Sequence, residues 1–160
     1  MTLVFALYGG LDVSFEKLSN YFEQINSANP GTHAKVESFG GHFHRSFFLS
    51  GFSARAAKYC QPVIALDGTH LKGLMNLNGT LLVASAKDPN NSMLILGLAI
   101  VPVENGANWT WFLKHLKQAG VFANNPVVIS DRSDKFMQDS TAILCPSILY
   151  ASYCGQHTEH

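Results

Sequence analysis

Pro62-Val63-Ile64-Ala65-Leu66-Asp67-Gly68-Thr69-His70-Leu71-Lys72-Gly73 decides how this chain is read. A short apolar run ends in one carboxylate, and turn residues follow at once. Such a run, bounded by turn signals, reads as a buried strand over Pro62–Asp67. The same logic returns in Pro126-Val127-Val128-Ile129-Ser130-Asp131-Arg132. Two buried strands, each delivering an aspartate near its carboxyl end, predict two carboxylates brought to one place.

The stretch between them supplies the rest of a sheet. Asn76–Gly79 reads as a turn, Thr80–Ala86 as a second strand, Asp88-Pro89-Asn90-Asn91 as a tight turn and Met93–Val103 as a long apolar third strand. These three strands suit an antiparallel meander. Asn108 then reads as a helix cap. Trp109, Phe112, Leu113 and Leu116 form an i, i+3, i+4, i+7 stripe, and Gly120 sits where the helix would end. Because a helix precedes Val127–Ser130, that strand can return parallel to an earlier one by a crossover. Lys135–Leu144 is weakly helical, and Ser147–Tyr153 reads as a fifth short strand.

Upstream, Ser14 reads as the cap of a helix to about Asn26, with Phe15, Leu18, Phe22 and Ile25 on one face, stopped by Asn29-Pro30-Gly31. Residues 32–59 are less patterned. Phe43, Phe47, Phe48 and Phe52 suggest a core cluster, and Ala54–Lys58 a short helix. The expected fold is therefore α/β with a mixed sheet (α+β): an antiparallel meander, then a helix and parallel strands. Residues 1–60 are expected to form a partly helical lead-in that packs on a main domain of 61–160.

Composition sets the bounds. The chain has 160 residues, 47% of them apolar and 14% charged, enough for one core and a small accessory segment. No apolar run reaches the ~18 residues needed to span a bilayer, so no membrane partner is expected. The opening Met1-Thr2-Leu3-Val4-Phe5-Ala6-Leu7-Tyr8 is apolar but lacks the basic start and the cleavage site of a signal peptide. Lys and Arg total 11, as do Asp and Glu. That balance argues against a dedicated nucleic-acid-binding module, though not against a catalytic core that takes its grip on DNA from other segments. Cys60, Cys145 and Cys154 are too few and scattered for a disulfide framework and fit a reducing compartment.

Two carboxylates a few ångströms apart repel, and one resists ionising. A bound Mg²⁺ or Mn²⁺ removes that penalty, and two such ions can activate an attacking hydroxyl and stabilise the leaving oxygen of a phosphodiester. Asp67 and Asp131 are thus candidate metal ligands and catalytic acids; the alternative is a strand-end aspartate serving only its turn. His70 could touch the site or a phosphate, or act as a hydrogen-bonded turn residue. Arg132 could contact a DNA phosphate or pair with Asp134. Trp109 and Trp111, two residues apart, cannot share one helix face; one is expected in the core and the other partly exposed.

Several blocks together resemble a known family. They are Asn29-Pro30-Gly31, Phe43-His44-Arg45-Ser46-Phe47, Pro62 through Gly73, Gly79-Thr80-Leu81-Leu82-Val83-Ala84, Asp88 with Asn90 and Asn91, Ile100-Val101-Pro102-Val103-Glu104-Asn105, Trp109-Thr110-Trp111-Phe112-Leu113 and Ile129-Ser130-Asp131-Arg132. From about residue 18 to 157 the chain resembles the transposase domain of Mutator-like elements (MULE), which are cut-and-paste DNA transposases. The resemblance implies an RNase H-like fold with an Asp-Asp-Glu triad, Asp67 as first acid, Asp131 as second, and Mg²⁺ or Mn²⁺ as cofactor. Cys154-Gly155-Gln156-His157 matches the family's Cys-x2-His element. Cys154 and His157, with His160 nearby, make half of a zinc-type site or a vestigial one.

The family's glutamate lies well beyond that element. Glu159 is too close to it, and Glu104 matches a different family position, at the end of the third strand. The expectation is a fold incomplete at the C-terminus, truncated before the third acid. That would be a fragment of a DNA transposase, inactive as this chain, whose full reaction is metal-dependent DNA cleavage and strand transfer. Its partners would be transposon ends and target DNA, with a homo-oligomer also in view, and its location nuclear. Two alternatives stay open: a domesticated or degraded transposase relic acting as a non-catalytic interaction or transcription-related module, and a different RNase H-like nuclease acting on RNA–DNA hybrids.

Overall fold

The computed structural model describes residues 11–71, 79–130 and 150–152, with 11–16 and 150–152 described as backbone only. Helix α1 (Leu11–Ala28) leads into strands β1 (His33–Phe39) and β2 (His42–Leu49). A short helix α2 (Gly51–Ala56) runs into a single 3₁₀ turn (Ala57–Tyr59). Then come β3 (Val63–His70), β4 (Thr80–Lys87), β5 (Met93–Val101), α3 (Gly106–Gln118), β6 (Val127–Ser130) and β7 (Tyr150–Ser152). The described strands form one mixed sheet in the order β1-β2-β5-β4-β3-β6-β7.

The apolar runs explain its centre. β3, β4 and β5 make the antiparallel meander, and on β4 the side chains of Thr80, Leu82, Ala84 and Ala86 are buried while every second residue is more open. β6 joins β3 in parallel after the α3 crossover, and β7 joins β6 in parallel. This is the architecture expected from the sequence, with β7 inside the expected fifth strand.

Helix α3 covers one face. Trp109, Phe112, Leu113 and Leu116 are buried with Leu66, Leu82, Ala84 and Ala99 in a single cluster. Gly97 lets the helix come close, since a Cβ there would lie 2.7 Å from Leu116 Cδ2. On β2, Phe47 faces this helix, its ring 5.7 Å from Phe112, while the adjacent Phe48 turns the other way to meet Phe22 of α1 at 6.0 Å. Around the hairpin the sheet is thus sandwiched between α1 and α3. The Asn26 amide docks α1 by bonding both backbone groups of Ala34, at 2.8 and 2.9 Å.

Local details differ from the sequence reading. Ser14 lies within α1, which starts at Leu11. β3 runs on past Asp67 to His70, and β5 stops at Val101 rather than Val103. The cap of α3 is Asn105, whose side chain accepts from the Asn108 N–H at 2.9 Å; Asn108 is buried inside the first turn. Trp111 is buried, not partly exposed, because the β1–β2 hairpin extends over its face of the helix and Glu37 accepts its indole N–H at 2.8 Å. Phe52 is 65% exposed and stands outside the core that Phe47 joins. The weak helix expected over Lys135–Leu144 lies outside the described residues.

Candidate functional site

The parallel pairing of β3 with β6 sets Val63, Ile64, Ala65 and Leu66 against Val127, Val128, Ile129 and Ser130. The carboxyl ends of the two strands therefore lie side by side, and the next residues in sequence are Asp67 and Asp131. In open sheets with a crossover, ligands bind off the carboxyl ends of such strands. Asp131 itself, with Arg132, Cys154 and His157, lies outside the described residues.

Asp67 is exposed. Its Oδ1 accepts from the N–H of Gly68 at 2.8 Å, a local bond that orients the carboxylate at the strand's end. Strand alternation puts Ile64, Leu66 and Gly68 on the α3 face and Asp67 on the other. His70 is also exposed, and its Nδ1 lies 3.3 Å from Thr80 Oγ1, its cross-strand partner.

One neighbour was not singled out as a site residue from sequence. Glu104, between the end of β5 and the cap of α3, reaches across to Gly68. A Cβ on Gly68 would stand 2.9 Å from Glu104 Cδ and Oε1 and 3.0 Å from Oε2. Trp109 Nε1 donates to Glu104 Oε1 at 3.2 Å. The signal available in sequence was a lone acid just ahead of a helix, too common a pattern to single it out.

A second polar cluster sits on the far side of α3. His33 Nε2 and His115 Nδ1 are 2.7 Å apart, Arg45 Nε donates to Glu37 Oε2 at 2.7 Å, and the Arg45 guanidinium lies 4.4 Å from the Trp111 ring centre. Burial raises the Glu37 carboxyl, but hydrogen bonds from Arg45 and Trp111 outweigh it, and the group sits below its ordinary pKa. This cluster ties the hairpin to α3.

Residues 63–158, more than half of the chain, match the family model described as the MULE transposase domain. The chain belongs to this family. No curated protein matches it, and no solved structure does. Membership carries a transposase-related function with DNA as partner, and transposase domains generally use divalent metals. No described helix is long and apolar enough to cross a membrane.

Among the described residues no group of three His, Cys, Asp or Glu side chains stands ready to hold one ion. The donors at the end of β3 nonetheless fit a hard divalent cation. Asp67 offers exposed carboxylate oxygens. Oxygen donors of this kind are what Mg²⁺ and Mn²⁺ prefer.

Proposed function

We propose that this MULE transposase domain cleaves DNA and transfers strands with Mg²⁺ or Mn²⁺ held at the carboxyl ends of β3 and β6, on an RNase H-like frame. The parallel register that ends at Leu66 and Ser130 carries the reading, because it sets side by side the strands that lead into Asp67 and Asp131. Asp67 and Asp131 would hold the metal. The cation would polarise the phosphodiester and favour the attacking hydroxyl. Asp67 keeps its orientation through Gly68, while His70 and Arg132 are candidates to touch the DNA backbone. The neutral net charge leaves most of the DNA grip to further contacts. Acting on chromosomal DNA, the domain would work in the nucleus.

The test is Mn²⁺-dependent nicking of supercoiled DNA by the purified chain, and nicking by the wild type would itself overturn the expectation that this chain is inactive. A metal ligand is worth several kcal/mol of transition-state stabilisation, so Asp67→Asn is expected to lower the rate at least about 100-fold. Nicking that survives Asp67→Asn unchanged, or that needs no divalent ion, contradicts the assignment.

A further inference from the structure

The sheet face turned away from α3 carries an apolar strip that the proposed reaction does not use. Cross-strand pairing partners share a face. Met93, Ile95, Leu98 and Ile100 of β5 pair with Lys87, Ser85, Val83 and Leu81 of β4. Phe48, which meets α1, pairs with Leu98, so this is the face on which α1 lies. There α1 packs on β1 and β2. Farther along the face Met93 is 65% and Ile95 50% exposed, and Leu81, Val83, Leu98 and Ile100 are partly so. A contiguous apolar strip of this kind marks a surface that something covers.

The chain holds a segment that suits the strip. Met1-Thr2-Leu3-Val4-Phe5-Ala6-Leu7-Tyr8 carries no charged side chain and lacks the marks of an export signal. Gly9-Gly10 joins it to α1, which begins at Leu11 on the same face. Two glycines in a row let a chain reverse direction at little steric cost. Ten extended residues reach about 33 Å, and the strip from Met93 to Ile100 is about 24 Å long.

We propose that Met1–Tyr8 folds back at Gly9-Gly10 and lies beside α1 over β5 and β4, burying its apolar side chains against Met93, Ile95 and their neighbours. Adjacent strands are about 5 Å apart, so one stretch of chain covers these two and leaves Asp67, which pairs with Val83 from β3 on the same face, open. The cover forms whether or not Asp67 binds a metal.

The experiment is photo-cross-linking of the full chain carrying Phe5→p-benzoylphenylalanine, at low protein concentration, with the linked peptides mapped by mass spectrometry. The expected products are links within one chain to β4 or β5. Links between two chains would show that a second copy covers the strip, and the absence of any link to β4 or β5 would show that Met1–Tyr8 lies elsewhere; either result overturns the proposal. Chymotrypsin cleavage after Phe5 gives a second readout, because a docked segment is cut only from its undocked fraction. Ile95→Asp puts a charge under the segment at a half-exposed position and is expected to speed this cleavage at least about tenfold. Equal cleavage rates in wild type and a folded Ile95→Asp contradict the docking. Where that variant fails to fold, the cross-links of the otherwise unchanged chain decide.

Discussion

Two histidines with nitrogens 2.7 Å apart share a single proton, one ring donating and the other accepting. Adding a proton turns both into donors and breaks the bond. Burial first, and His33 second, lower the His115 pKa to about 4; burial and Lys35 lower that of His33. Lys114 and Arg45 add to the downward push on His115, and Glu37 opposes it. The unfolded chain takes up these protons near the ordinary value of 6.5 and the folded chain only near 4 for His115. Folding is therefore unpenalised above about pH 7 and loses stability as pH falls from 6.5 toward 4. Chemical denaturation across that range is expected to show the decline, and His115→Gln to flatten it. A wild-type curve flat from pH 7 to 4 contradicts the geometry. Of this residue-level detail little could be read in advance. Asp67 stood out because it closes an apolar run, whereas His33 and His115 lie far apart in sequence and meet only through the packing of β1 on α3.

Caps and close approaches decide the elements. Asn105 closes the start of α3 through the Asn108 N–H, so Asn105→Ala is expected to cost about 1 kcal/mol in urea denaturation, more than a substitution on the exposed face of the helix. Sequence pointed to Asn108 instead, and the difference is physical. The Asn108 amide donates to Val103 O at 2.8 Å and accepts from Arg45 at 3.1 Å, so it serves the interior and leaves the cap to its neighbour. Gly97 on β5 lies against Leu116 of α3. Gly97→Ala would drive a methyl into Leu116 with Phe47 also at contact, an overpacking expected to cost about 1–3 kcal/mol. An unchanged midpoint would mean that the helix does not sit so close. The long strands were legible as apolar runs and the helix as a stripe. The β1–β2 hairpin was not, because its strands carry Lys35, Glu37, His42, His44 and Arg45 among the apolar residues. Its turn is marked only by Gly40 and Gly41, which adopt φ of +60° and +81°.

At the scale of the whole molecule, the hairpin is an extension of the central sheet. β2 pairs with β5 from Ser46 to Phe48, and Phe47, fully buried, reaches Phe112, Trp111 and His115 on α3. Phe47→Ala is expected to cost about 3–5 kcal/mol and to lower one cooperative transition, since the hairpin and the meander share a core. Loss of the hairpin alone, in a separate earlier transition, would show that the sheet is not one unit. The mixed sheet, with its meander and parallel return after a helix, was legible from the order of apolar runs and the one helical stripe between them. The edge position of the hairpin was not, because strand order between distant segments depends on packing that no local pattern records.

Every role proposed for this site depends on Asp67 as a cation ligand at the end of β3. The most direct measurement is the affinity of the purified chain for Mn²⁺, by calorimetry, in wild type and Asp67→Asn. Saturable binding is expected in the wild type, weakened at least about tenfold by the substitution, since an oxygen ligand and its charge are lost together. Equal affinity in the two proteins, with both folded, would contradict it.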